Sequence, residues 1–173
     1  MVEAAIFVIF PFCMVFAAVS DLLSMTIANR VSVILIAAFA VLAPLTGMDW
    51  TTYAWHFAAG GVVLAVTFGV FAIGGMGGGD AKLMTATSVW MGFGFLLMDY
   101  LVMTAFIGGL LTLLILLFRK SPLAMIHGQN LFLRHLSDAK TGIPYGIALG
   151  AAGLIVFPKS PLAAAALQSL AAN

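Results

Sequence analysis

Apolar residues in this chain neither alternate nor keep to a narrow helical stripe. They run in blocks, separated by short polar or glycine-rich breaks. A helix of about 18 to 20 apolar residues crosses the roughly 30 Å hydrocarbon core of a bilayer. Six such spans are predicted, over residues 4–20, 27–45, 52–74, 83–98, 101–118 and 143–157. The fifth, with Leu-Leu-Thr-Leu-Leu-Ile-Leu-Leu over 110–117, is the clearest. The sixth is short and rich in Gly and Ala, which suits close packing against other helices. Nothing repeats and no long linker divides the chain, so a single domain over residues 1–173 is expected. The fold class is all-α, a polytopic membrane protein with six transmembrane helices.

Composition agrees with this pattern. Of the 173 residues 64% are hydrophobic and only 8% charged, against about 25% charged in a typical soluble domain. The hydrophobicity excludes a disordered chain, and a net charge of +1 with no basic stripe excludes a nucleic-acid binder. The lone Cys13, inside an apolar run, reads as a small packed hydrophobe. The apolar start carries Glu3 and no Lys or Arg before it, so it reads as a retained first span rather than a cleaved signal peptide.

Charge placement gives an orientation. Arg30, Lys82, Arg119, Lys120, Arg134 and Lys140 fall in or beside the loops after spans one, three and five, and only Lys159 falls on the other side. Basic residues mark the cytoplasmic side, so both termini are expected outside. Trp50, Tyr53, Trp55 and Tyr100 gather at the expected outer interface, where amphipathic rings settle. In the long polar loop over 119–141, Phe132, Leu133 and Leu136 share a helical side away from Arg134, His135 and Asp138. That suits a short helix on the membrane surface or a solvated connector.

Two acids stand at the cytoplasmic ends of spans, Asp21 after the first and Asp80 before the fourth. Carboxylates beside a bilayer are costly and mark sites or pathways. Asp80 has a simpler reading as the N-cap of the fourth helix, and Asp21 could lie in the headgroups. Asp80, however, ends the run Gly-Gly-Met-Gly-Gly-Gly-Asp over 74–80. Unwound backbone in a membrane is tolerated only where protein buries it or a wet cavity meets it. An extended peptide pairing with this backbone beside an acid would use those glycines. Two carboxylates on one face suggest aspartyl chemistry, one activating water and the other protonating the leaving amine. His56, His127 and His135 show no metal-ligand spacing, no serine has a GxSxG setting, and no cofactor is expected. His56 reads as structural. The rival reading is a small transporter or channel with Asp21 and Asp80 as cation ligands at a glycine-broken helix.

These residues resemble the type IV prepilin peptidases, GxGD intramembrane aspartyl proteases. Gly77-Gly78-Gly79-Asp80 followed by Lys82 matches that family's Gly-x-Gly-Asp-x-Lys. Asp21 with Ile27-Ala28-Asn29 resembles its first-aspartate region, Ala28 standing where the family has proline. Gly142-Ile143-Pro144-Tyr145-Gly146 resembles its closing Pro-Tyr-Gly motif. The resemblance implies a catalytic pair of Asp21 and Asp80 that removes the basic leader from prepilins or pseudopilins at the cytoplasmic face of a bacterial inner membrane. It further implies that Gly77 and Gly79 let the substrate backbone approach and that Lys82 orients Asp80, unless Lys82 is a surface lysine at the headgroups. Pro144 and Tyr145 would shape the helix start near the pair, and Asn29 would cap the second helix or bond within the Asp21 loop. The long forms of the family carry a methylating domain with paired CxxC motifs, absent from this sequence. The compact form is similar to Flp/Tad pilus peptidases and to archaeal preflagellin peptidases. Prepilin-type proteins and membrane lipid are the expected partners.

Overall fold

The computed structural model describes residues 1–121 and 142–171. The surface helix expected from Phe132, Leu133 and Leu136, with His127, His135 and Asp138, lies outside the described residues. The rest is helical: α1 (Val2–Ser24), α2 (Asn29–Leu45), α3 (Trp50–Ala72), α4 (Gly78–Met91), α5 (Phe95–Lys120), α6 (Tyr145–Val156) and α7 (Pro161–Ala171), with a 3₁₀ turn at Phe157–Lys159 before α7.

The boundaries have local causes. α1 ends where Met25 takes a left-handed conformation, φ 54°, and its amide bonds back to the Asp21 carbonyl at 2.8 Å, a single-residue reversal that closes a helix. Asp49 caps α3 by accepting from the amides of Thr51 and Thr52, each at 3.0 Å. The Thr52 side chain and these amides lower the Asp49 carboxyl below the usual carboxylate range. Gly92 and Gly94, at φ 69° and 139°, break the chain between α4 and α5 in a conformation that suits glycine.

Helix α4 sits at the centre, packed by α2 and α3 and touching α6, while α6 lies between α1 and α5. Nearly every α4 side chain from Ala81 to Met91 is buried, including Thr85, Thr87 and Ser88. Those hydroxyls are satisfied inside their own helix, bonding the carbonyls of Ala81, Leu83 and Met84 at 2.8, 2.9 and 2.8 Å. That is how hydroxyls are tolerated away from water. Trp90 donates its indole N–H to the Leu35 carbonyl at 2.9 Å and tilts against Phe10, which stacks on Phe157 at 4.5 Å. Cys13 is buried, and His56 is buried with Nδ1 2.7 Å from the Val89 carbonyl. Small residues let α1 and α6 meet: a Cβ on Gly150 would lie 2.8 Å from the Met14 carbonyl oxygen, and one on Gly153 2.9 Å from the Met14 sulfur.

The chain is a membrane protein by its apolar helices. Three helices, α1, α3 and α5, are long and apolar enough to span a membrane, and a fourth span results if α6 and α7, bent by 44°, count as one. At 17 and 14 residues, α2 and α4 fall below that length. Several sequence expectations shift. The fourth helix begins at Gly78 instead of residue 83 and stops at Met91, because Gly92 and Gly94 interrupt it, so Phe95 to Met98 belong to α5. α1 runs on through Ser24, which puts Asp21 in its last turn rather than beyond it. A further helix, α7, follows the sixth expected span. Tyr100 was expected at the outer interface, yet it is fully buried, whereas Trp50 and Trp55 are exposed.

Gly150→Val tests the α1–α6 contact. Its branched side chain would meet main chain, which cannot yield as a flexible side chain can, so a loss of about 1–3 kcal/mol is expected. Thermal unfolding in detergent should show a lowered midpoint.

Candidate active site

Asp21 and Asp80 reach one region from different helices. Asp21 is buried in the last turn of α1. Its Oδ2 accepts the Gly146 amide at 2.6 Å, in the first turn of α6. Gly146 must be glycine here, since a Cβ would stand 2.7 Å from the Asp21 Cβ and 2.9 Å from its Oδ2. Asp80 is half-buried in the first turn of α4. The N-cap of that helix is Gly77, so Asp80 occupies the third helical position and is not the cap. Its carboxyl folds back on the Gly77 backbone, where a Cβ would lie 2.8 Å from Oδ2, as an acid at this position does in a capping box. Both acids stand near the start of α6: Asp21 bonds the Gly146 amide, and Asp80 shares a cavity with Tyr145.

The glycine run has internal uses. A Cβ on Gly79 would meet the Ile27 Cβ at 3.2 Å, so this glycine lets the start of α4 press on the link between α1 and α2. Gly74, at φ 78°, turns the chain after α3. A cavity of about 210 Å³ opens beside Asp80, lined by Gly75, Met76, Met84, Thr104, Tyr145 and Leu149. A larger groove of about 560 Å³, running past Val62, Val66, Phe95 and Met98, contains neither acid.

The supporting residues are arranged differently from expectation. Lys82 donates to Asn29 Oδ1 at 2.9 Å, which ties the first turn of α4 to the first turn of α2. Asn29 itself is not a cap, because Ala28 holds that position and makes no side-chain capping bond. Pro144 is the N-cap residue of α6 and is buried. Tyr145 lies against Gly108, where a Cβ would be 2.7 Å from its ring, and its hydroxyl is 3.1 Å from Thr112 Oγ1. Arg119 donates to the Gly142 carbonyl at 3.0 Å, joining the end of α5 to the approach to α6. Among the described residues no group of three or more His, Cys, Asp or Glu gathers as a metal site.

Thr104 and Tyr100 were not anticipated near the acids. Thr104 lines the Asp80 cavity, and Tyr100 lies one turn before it on the buried face of α5. The spacing Leu97, Tyr100, Thr104, Gly108 was the available signal, marking one buried face of α5.

A scan against protein families matched the type IV leader peptidase family over residues 8–128. The chain belongs to this family. Both acids fall inside the matched region, and Pro144 and Tyr145 beyond it. No curated protein and no solved structure matched the chain. As a type IV leader peptidase it is a membrane-embedded protease, and the family implies substrates of the prepilin type.

Gly146→Ala probes how Asp21 is held. The added methyl would collide with the carboxyl and shift it; if Asp21 is a reacting group, a misplacement of about 1 Å costs on the order of a hundredfold in rate. Processing should fall by about that factor while the protein still accumulates in the membrane. Unchanged processing would mean that Asp21 needs no such support.

Proposed function

We propose that this protein is an aspartyl endopeptidase that uses Asp21 and Asp80 to remove the basic leader from prepilins or pseudopilins. The observation that supports this reading is that two acids, at the end of α1 and the start of α4, both stand near the start of α6, Asp21 bonded to the Gly146 amide and Asp80 in a cavity shared with Tyr145, in a leader peptidase chain. A pair of carboxyls at one site holds one proton between them. The ionised member takes a proton from water as the water oxygen bonds to the scissile carbonyl carbon. The protonated member gives its proton to the leaving nitrogen as the C–N bond breaks. The pair titrates as a unit.

The basic residues Arg30, Lys82, Arg119 and Lys120 flank the same end of the bundle as the acids in the charge pattern. Positive residues favour the cytoplasm, which supports a six-span chain with its N-terminus outside and the acids facing the cytoplasm of a bacterial inner membrane. The compact form, similar to Flp/Tad peptidases, supports Flp-type pilins as substrate. Gly75 and Met76, beside Asp80 on the cavity wall, offer backbone for an extended substrate to approach. Lys82, bonded to Asn29, supports Asp80 by fixing the start of its helix rather than by touching the carboxyl.

Co-expression with a prepilin tests the pair. Asp21→Asn and Asp80→Asn keep size and remove charge, and each should lower processing by at least about a thousandfold with the protein still folded in the membrane. Normal leader removal by either variant would overturn the assignment. Ion flux without cleavage by the unaltered protein would favour the transporter reading.

A further inference from the structure

Helices α5 and α6 meet closely near the acids and part at their other ends. A Cβ on Gly108 would lie 2.7 Å from the Tyr145 ring and 3.6 Å from the Ala148 Cβ, so the bare backbone at Gly108 lets the first turns of α6 rest on α5. Toward the start of α5 and the end of α6 the facing side chains are larger. There a groove of about 420 Å³ runs between Val102, Met103 and Phe106 of α5 and Ile155 of α6. Asp99 and Lys159 line the same groove. Asp99 stands one turn into α5, and Lys159 closes the 3₁₀ turn after α6. Both therefore lie at the end of the bundle away from Asp21 and Asp80.

The two charges answer neither each other nor any neighbour. Both side chains are exposed, and among the described residues neither has an ion-pair or hydrogen-bond partner. An acid and a base at one groove, held apart, complement a group that carries both signs. Their level suits a lipid head. Helix α5 has 26 residues and rises roughly 39 Å at 1.5 Å per residue, more than the roughly 30 Å of hydrocarbon, so its end turns reach the headgroups. Asp99, Val102, Met103 and Phe106 follow one another at i, i+3, i+4 and i+7, which puts them on one side of α5. The charge thus tops an apolar wall. Other grooves lack this pairing. The one of about 560 Å³ has no charged side chain, and one of about 400 Å³ between α1 and α2 has Arg30 without an acid.

We infer that the α5–α6 groove binds a zwitterionic phospholipid with a primary-amine headgroup of the ethanolamine type. The lipid ammonium donates to the Asp99 carboxylate, and the phosphate accepts from Lys159 Nζ. One acyl chain lies along Val102, Met103 and Phe106. Each lipid charge then meets its opposite through a charge-assisted hydrogen bond, stronger than a neutral one. A choline headgroup carries the same charges, but its N-methyl groups leave no N–H for Asp99. A glycerol headgroup brings the phosphate and no cation. This site goes beyond the peptidase reading and does not depend on it. A lipid held there braces the two helices that bring Thr104 and Tyr145 to the Asp80 cavity.

The test uses the full-length protein, stripped of lipid in detergent, with added palmitoyl-oleoyl phospholipids whose headgroup is ethanolamine, choline or glycerol. Native mass spectrometry reads the fraction of protein that carries a lipid, and thermal unfolding reads the midpoint. The unaltered protein should bind the ethanolamine lipid about tenfold more tightly than the choline lipid, the scale of a hydrogen bond to a charged group. Its midpoint should rise by about 2–4 °C with the ethanolamine lipid relative to the choline lipid. Asp99→Asn should erase that preference, whereas Lys159→Gln should weaken all three lipids, since all share the phosphate. Both side chains are exposed, so both variants should unfold like the unaltered protein when no lipid is added. Equal binding of the ethanolamine and choline lipids by the unaltered protein overturns the proposal, as does a preference that survives Asp99→Asn. Tightest binding of the glycerol lipid leaves Asp99 without a part and overturns it too. So does a dimer that either variant breaks, because a second copy of the chain would then fill the groove.

Discussion

The hydrogen bond from the Gly146 amide to Asp21 is the contact on which the arrangement of this protein turns. A carboxylate within an apolar bundle must be compensated by donors, and here the donor is main chain at the start of a helix. Asp80 finds the same kind of compensation at the start of its own helix, α4. The partial positive ends of α6 and α4 thus both face acids, as helix N-termini favour. The same stripe of small residues, Gly146, Gly150 and Gly153, sets the α1–α6 distance and the position of Asp21 together. Packing and chemistry are fixed by one interface.

Much of this could be read from the amino-acid order. Long apolar blocks declare α1, α3 and α5 because a bilayer demands length and hydrophobicity. Asp21 and Asp80 are conspicuous because so few charges exist to compete with them. Other features depend on pairings between distant segments. Tyr100 looks like an interfacial aromatic by its place near the start of a span, but α5 begins at Phe95, after Gly94, and Tyr100 falls on its buried face. Asn29 looks like a cap, yet Lys82, far along the chain, claims its oxygen. The glycines before Asp80 suggest room for a substrate, while Gly77 and Gly79 are used by Asp80 and Ile27 of the same molecule. Which neighbour fills the space above a glycine is a tertiary fact, and no local pattern carries it. α7, at 11 residues, is too short to read as a span, although Leu162, Ala163 and Ala166 give it a buried side.

The centre of the bundle also explains why the polar machinery is not a liability. Threonine and serine hydroxyls of α4 turn back on their own carbonyls, so the helix is polar in sequence and nearly apolar toward its neighbours. Such a helix can be enclosed on every side without needing water.

Helix α4 is short, 14 residues, and at 1.5 Å per residue rises roughly 21 Å, against roughly 30 Å of hydrocarbon. By itself it is too short to cross that thickness. On the six-span reading proposed above, Asp80, in the first turn of this short helix, would have its depth below the headgroups set by the lipid as much as by the protein. A bilayer thickened by longer acyl chains would sink the acid and lengthen the path of polar peptide to it. A thinner one would lift it toward water. Hydrophobic mismatch of this sort has a modest energetic cost per ångström, enough to make lipid chain length a determinant of how easily a leader reaches the acid.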